Sequence, residues 1–147
     1  AHPILVTPTS RRRFDENGKS VNTHGDYPDA VRWVAAKENV PLIELNGMTA
    51  ILFNALGVDN STKAFVHYPA GTFPGQTRTL KDNTHFSTYG AYEVSKCVIE
   101  GMKKADLEIV KYLRPDYSGF DPAQPDSFES FKWNLGSFTE NEKPDGN

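Results

Sequence analysis

An aspartate and a histidine three residues apart, Asp82 and His85, are the residues of this sequence best suited to acid–base chemistry. A histidine can take a proton from a hydroxyl nucleophile, and a neighbouring carboxylate holds the imidazole in the required tautomer and stabilises its cation. On one tight turn the two side chains can reach a shared cleft. The same spacing also fits a surface loop with a helix-capping aspartate, which is the commoner case for this motif in isolation.

The segments around this pair narrow the choice. Four of them occur in a fixed order: 65–71 (FVHYPAG), 75–77 (GQT), 81–86 (KDNTHF) and 89–91 (YGA). Together with 8–12 (PTSRR) and 24–28 (HGDYP), they resemble the rhamnogalacturonan acetylesterase-like SGNH (GDSL) hydrolases over about residues 3 to 113. The resemblance implies an α/β fold, the three-layer α/β/α flavodoxin-like arrangement, of which this chain holds only the C-terminal part.

The same resemblance implies a function and two site residues. It implies a serine esterase that removes acetyl groups from a plant-cell-wall polysaccharide such as rhamnogalacturonan, through an acyl-serine intermediate. In such an enzyme Asp82 and His85 are the catalytic acid–base pair, and no cofactor or metal is used. The implied partner is an acetylated polysaccharide or oligosaccharide, and a secreted or periplasmic location follows from that substrate.

No convincing nucleophile accompanies the pair. In this family a G-D-S block supplies the serine, and a glycine and an asparagine from two further blocks complete the oxyanion hole. Tyr27 takes the serine place in 25–27 (GDY), which is typical of a helix start, and Ser87 fits a helix cap. The serine in 135–137 (LGS) lies in an acidic tail, and Asn60 does not fit the oxyanion block. We therefore expect the chain to be part of a longer parent and to have no significant esterase activity by itself.

Two other classes of function remain open. The missing nucleophile block also fits a non-catalytic, carbohydrate-binding or structural fragment. A metal-dependent hydrolase would use His24, Asp26 and His67 together with the Asp82–His85 pair, since histidines and a carboxylate suit zinc. The spacings of these residues match no compact metal motif, which weighs against this third interpretation.

The cations and tryptophans allow two interpretations each. Arg11, Arg12 and Arg13 follow the predicted first strand, at the edge where ligands of open α/β sheets bind. They could bind an acidic polysaccharide, or form a solvated loop paired with the acidic residues at 15 and 16. Trp33 and Trp133 are more typical of packing residues than of sugar-binding platforms.

The apolar pattern predicts the elements that position these residues. Residues 3–8 (PILVTP) and 42–45 (LIEL) are predicted strands, with a helix over 26–39 between them, the pattern of a parallel sheet. A second helix is predicted from a capping Asn46 to Gly57. Residues 66–87 are predicted to form a long irregular loop before a third helix that begins near Ser87. The buried side of that helix is predicted to contain Tyr92, Ser95, Val98, Ile99 and Met102.

Composition sets the remaining limits. The chain has 147 residues and a net charge of −3, which argues against a nucleic-acid binder, and it contains no apolar run of membrane-spanning length. Cys97 is predicted to be a small buried side chain. Residues 1–113 are assigned to the C-terminal part of the esterase domain and 114–147 to an acidic, aromatic-containing tail or the start of a further module. Part of a sheet exposes an edge, so we expect self-association, binding of the missing N-terminal half, or only marginal stability.

Overall fold

The computed structural model describes residues 1–132 and shows a mixed α/β protein. Within these residues, four strands form two separate two-stranded sheets. The elements are β1 (Leu5–Val6), α1 (Tyr27–Glu38), β2 (Leu42–Ile43), α2 (Leu45–Asn60), β3 (Phe65–Tyr68), β4 (Leu80–Phe86) and α3 (Thr88–Lys104), with short 3₁₀ helices at Ser61–Ala64 and Glu108–Tyr112. Two predictions, the one on Trp133 and the one on residues 135–137, lie outside the described residues.

The first sheet confirms the predicted strand, helix and strand. β1 and β2 pair in parallel, with Leu5 opposite Leu42 and Val6 opposite Ile43. α1 connects them, with a proline in its first turn, where the missing N–H costs nothing. Asn39 ends the helix in the left-handed conformation (φ 51°), a geometry that asparagine tolerates well.

The prediction for the start of α2 is wrong by two residues. Glu44 is the cap, and its Oε1 accepts the backbone N–H of Gly47 at 3.2 Å. Asn46 serves another purpose, because its backbone N–H donates to Thr7 Oγ1 (2.8 Å) and ties the helix to the segment after β1. Gly57 leaves the helical conformation as predicted, although helical turns resume and continue to Asn60.

The long irregular loop predicted over 66–87 is wrong. β3 and β4 form an antiparallel pair, and only residues 69–79 connect them irregularly. Phe65 at the start of β3 packs on Phe53 of α2 and on Phe86 at the end of β4, with ring centroids 5.1 Å apart in both pairs. These aromatic contacts hold the strands in place at the core, despite the proline- and glycine-rich connection.

α3 begins at Thr88 with Ser87 as its cap, close to the predicted start, but its buried face differs from the prediction. Tyr92 and Ser95 are exposed, whereas Tyr89, Glu93 and Lys96 are buried, together with Cys97 as predicted. Val98 and Met102 are partly buried against the core. The helix is covered on two sides, by the core and by the tail, so its buried face includes charged residues that the apolar pattern does not show.

The described part of the tail, residues 114–132, packs against α3. Tyr117 Oη donates to Glu100 Oε1 (2.9 Å), and Tyr89 Oη donates to the carbonyl of Asp126 (2.7 Å). The rings of Phe128 and Phe131 lie edge-on to Tyr89, at 5.3 and 5.6 Å between centroids. No helix in residues 1–132 is long and apolar enough to cross a membrane.

Candidate active site

The Asp82–His85 pair lies on an excursion from β4. Phe65 pairs with Phe86, and His67 pairs with Lys81, so a single residue of β3 faces the four residues 82–85. Surplus residues on one strand leave the ladder and bulge away from the partner strand. The excursion displays the pair at the surface, where the side chain of His85 is 78% exposed.

One carboxylate closes this loop and also holds the imidazole. Asp82 Oδ1 accepts the backbone N–H groups of Thr84 (2.7 Å) and His85 (3.0 Å), and Asp82 Oδ2 lies 2.7 Å from His85 Nδ1. The N–H of His85, then its imidazole, then the N–H of Thr84 lower the pKa of Asp82 to about 2. The carboxylate is therefore ionised at neutral pH and accepts a hydrogen bond from Nδ1–H of His85.

This geometry suits general base catalysis. A neutral imidazole that donates from Nδ1 has its lone pair on Nε2, where it can take a proton from a nucleophile. Within residues 1–132, no serine hydroxyl is hydrogen-bonded to His85. Ser87 is a helix cap, as predicted: its Oγ accepts the N–H of Gly90 (3.1 Å) and donates to the carbonyl of Lys63 (2.6 Å).

The structure does not bring the other candidate site residues together. Asp26 and Tyr27 form the start of α1, as predicted. His24 Nε2 contacts the carbonyl of Thr9 at 2.7 Å. Across residues 1–132, no three histidine, cysteine, aspartate or glutamate side chains are grouped so that they could hold a metal ion. Trp33 is 62% exposed and Lys37 lies over its ring, so this tryptophan is not a core residue.

Arg12 fits neither of the roles considered for the arginine run. Its guanidinium donates to the carbonyl of Val58, to Ser61 Oγ (3.0 Å) and to Asn83 Oδ1 (3.2 Å), while Arg11 and Arg13 are exposed. Arg12 thus joins the end of α2 to the excursion on β4. Three consecutive arginines give no indication of which one turns inward, so sequence reasoning missed both Arg12 and Asn83.

A groove lies beside the excursion, between the β3–β4 pair and the tail. His67 lines it and also contacts Asn83 Oδ1 through Nε2 at 2.8 Å, which connects the groove to the Asp82–His85 loop. The groove has a volume of about 400 Å³. Aromatic rings and small polar groups line it: Phe65, Tyr68, Tyr89, Phe128, Phe131, Ser87, Thr88 and the Lys63 side chain.

Comparison with known proteins gives relatives but no matching family model. Over 113 residues, 77% of the chain, it is 42% identical to the rhamnogalacturonan acetylesterase RhgT of Bacillus subtilis (strain 168). Over the same length it is 33% identical to the probable rhamnogalacturonan acetylesterase YesY of that organism. The chain spans 49% and 48% of the lengths of these relatives.

A solved structure shares the fold. The crystal structure of the Bacillus subtilis protein YxiM superimposes with a TM-score of 0.58 at 21% identity, over 74% of this chain and 27% of that one. At this identity the likeness shows a shared fold and nothing further. In sequence the chain is therefore similar to rhamnogalacturonan acetylesterases, and it spans about half the length of the curated relatives it matches.

Proposed function

We propose that this chain supplies the acid–base half of a serine esterase that removes acetyl groups from a plant-cell-wall polysaccharide such as rhamnogalacturonan. The observation that carries the proposal is the 2.7 Å contact between His85 Nδ1 and Asp82 Oδ2 on an exposed loop. The substrate class is supported by the names of the two relatives. Because such a polymer lies outside the cell, the enzyme acts as a secreted or periplasmic protein.

The proposed mechanism uses the two side chains in different ways. His85 takes the proton from the serine hydroxyl as its oxygen attacks the acetyl carbonyl, and then gives that proton to the departing sugar oxygen. Water attacks the acyl-serine with His85 again as base, which releases acetate and restores the serine. Asp82 accepts a hydrogen bond from Nδ1–H throughout. It stabilises the imidazolium, and the proton stays on the imidazole.

The remaining groups of the site come from outside these 147 residues in this proposal. The sequence contains no G-D-S block, and loss of a triad member typically costs on the order of 10⁴-fold or more in turnover. Each missing oxyanion donor costs about 10²–10³-fold in kcat. The chain alone is therefore expected to be inactive, and the groove beside His67 offers a place for the sugar chain to lie near the ester.

The exposed first sheet supports a larger, three-layer α/β/α flavodoxin-like fold. β1 and β2 form a parallel sheet of two strands, and Ile4 and Val6 are 39% and 42% exposed. Parallel sheets normally have more strands and helices on both faces. We propose that the N-terminal half of the domain adds strands here, and that the isolated chain self-associates or binds that half. A compact, stable monomer on size-exclusion chromatography would contradict this.

Acetate release tests the proposed function. The chain alone and a longer polypeptide from the same locus that includes a G-D-S block are assayed on acetylated rhamnogalacturonan and p-nitrophenyl acetate. We expect activity only in the longer protein, and His85→Ala should lower its kcat by about 10³-fold or more. The matched control is His2→Ala, an exposed histidine near the N-terminus, which should leave activity unchanged. Equal activity of the two variants would refute the role of His85.

The genomic sequence discriminates the alternative, a non-catalytic carbohydrate-binding or structural protein. The lack of a nucleophile block in the 147 residues favours this alternative for the chain as it stands. An upstream in-frame G-D-S block followed by glycine and asparagine blocks supports the esterase. A start codon close to the codon for Ala1 supports the non-catalytic protein.

A further inference from the structure

The loop that carries the acid–base pair is attached to the rest of the molecule through Asn83. Its carbonyl accepts the backbone N–H of Arg12 at 2.9 Å. Its side-chain Oδ1 contacts Nη1 of Arg12 at 3.2 Å and Nε2 of His67 at 2.8 Å. Asn83 directly follows Asp82, so these contacts act on the centre of the excursion over residues 82–85.

Arg12 is itself held firmly at its other side. Two of its guanidinium nitrogens donate to the carbonyl of Val58 and to Ser61 Oγ, at the end of α2. Ser61 is fully buried, and it also donates to the carbonyl of Val58 at 3.1 Å. The planar guanidinium therefore connects Val58 and the buried Ser61, at the end of α2, to Asn83. A lysine has a single ammonium group and cannot reproduce this fork of donors.

The Asp82–His85 contact and the position of the loop depend on different interactions. The contact between the two side chains is local, because Asp82 Oδ1 and Oδ2 bind groups within three residues. Asn83, in contrast, contacts residues far away in the sequence, Arg12 and His67. A displacement of about 1 Å of a catalytic group can cost on the order of 10²-fold in rate.

We infer that Arg12 and Asn83 are positioning residues that hold the Asp82–His85 loop in register with the rest of the active site. The inference rests on the proposed function. Arg12 acts through Asn83, and Asn83 acts through the backbone between Asp82 and Thr84. His67 shares the same acceptor and supports Asn83 from the side of the groove.

Two variants with matched controls test this inference on the chain itself. Arg12→Lys keeps the charge and removes the guanidinium with its separate N–H donors. The control Arg13→Lys makes the same change at the exposed neighbour. Asn83→Leu removes the acceptor at similar size and leaves the contacts of Arg12 with Val58 and Ser61 in place. Asn83→Asp restores an acceptor and serves as the rescue.

The readout is the motion of the loop, measured by ¹⁵N relaxation of residues 83–85. We expect order parameters to fall from about 0.85 to below about 0.6 in Arg12→Lys and Asn83→Leu. Arg13→Lys and Asn83→Asp should remain near the wild-type value. Unchanged order parameters in Asn83→Leu would overturn the inference, and this variant decides the matter if Arg12→Lys does not fold.

Kinetics in the longer esterase separate this inference from the proposed function. Arg12→Lys and Asn83→Leu should lower kcat by about 10²-fold with little change in KM, because a misplaced base affects the chemical step. If His85→Ala abolishes activity and the two positioning variants retain full kcat, the inference is wrong and the proposed function stands. If His85→Ala retains activity, the proposed function itself is wrong.

Discussion

Two acid–base pairs of this protein have the same spacing and the same contact distance. Glu93 and Lys96 of α3 lie three residues apart with 2.7 Å between Oε1 and Nζ, and Asp82 and His85 show 2.7 Å between Oδ2 and Nδ1. Their exposure differs greatly. The side chains of Glu93 and Lys96 are 0% and 8% exposed, whereas those of Asp82 and His85 are 38% and 78% exposed.

The pKa values of the two carboxylates shift in opposite directions, as this difference in exposure predicts. Burial raises the pKa of Glu93, even though Lys96 opposes the shift. Hydrogen bonds from His85 and Thr84 lower the pKa of Asp82 to about 2. Burial acts in the opposite direction, but its effect at this exposed site is smaller. An acidic side chain near a basic one therefore does not by itself indicate which way its pKa moves.

The partners of the two basic groups differ as well. Lys96 also contacts Asp126 Oδ2 (2.8 Å) and lies over the rings of Tyr92 and Phe120, at 4.4 and 4.1 Å from their centroids. It links the tail to α3 and has no side open to a substrate. Within residues 1–132 the ring of His85 is hydrogen-bonded to Asp82 alone, through Nδ1. The comparison indicates that the first pair is structural and the second is suited to chemistry.

The largest expected effect on stability comes from breaking the buried pair. Lys96→Met leaves Glu93 buried without its cation and should lower the free energy of unfolding by about 3–5 kcal/mol. Urea denaturation monitored by circular dichroism measures this change. The double variant Glu93→Gln/Lys96→Met should recover part of the loss, since no unpaired charge remains. A loss below about 1 kcal/mol in Lys96→Met would show that the pair is not structural.

A smaller effect is expected where α3 packs against the segment that precedes β3. A Cβ on Gly90 would lie 1.8 Å from the carbonyl oxygen of Ala64, next to β3, and backbone cannot yield as a side chain can. Gly90→Ala should therefore destabilise the protein by about 1–3 kcal/mol in urea denaturation. The control is Gly47→Ala in α2, whose Cβ would have its nearest contact at 3.6 Å. That change should be neutral or slightly stabilising, and equal losses in both variants would contradict the expectation.

The smallest expected effect concerns the exposed pair. His85→Ala should lower stability at neutral pH only slightly, because the pair is exposed, and should raise the pKa of Asp82 above about 2, because the imidazole contact is lost. The pKa should stay below its ordinary value, since the two backbone N–H groups still bind Oδ1. Carboxyl ¹³C shifts measured against pH report this pKa, and Glu93→Gln is the control that should not affect it.

The sign of the pH dependence follows from the direction of this shift. The folded-state pKa of Asp82 lies below its unfolded value of about 3.9, so its contribution to stability is present above that pH. The contribution declines as the pH falls from about 4 toward 2. In His85→Ala the pKa of Asp82 is higher, so the decline should end at a higher pH and span a narrower pH range. An Asp82 pKa that stays at about 2 in this variant would contradict the role given to the imidazole.

Local patterns predicted part of the fold, and long-range contacts account for the rest. The apolar runs predicted β1 and β2, and the residue types predicted Asn39 and Ser87 at helix ends. β4 was missed because five of its seven residues are exposed and its burial does not alternate from residue to residue. The face of α3 was misjudged because the tail covers Glu93 and Lys96, and no periodicity within the helix reports a contact made more than twenty residues away.

The same division applies to the candidate site. The sequence by itself determined the contact between Asp82 and His85, because a carboxylate that caps its own turn needs only the residues within three positions of it. The tertiary structure alone decided that Arg12 reaches Asn83 across 71 residues, and that Glu93 is buried while Asp82 is exposed. Burial and distant hydrogen bonds depend on how elements pack, and packing is a property of the whole chain.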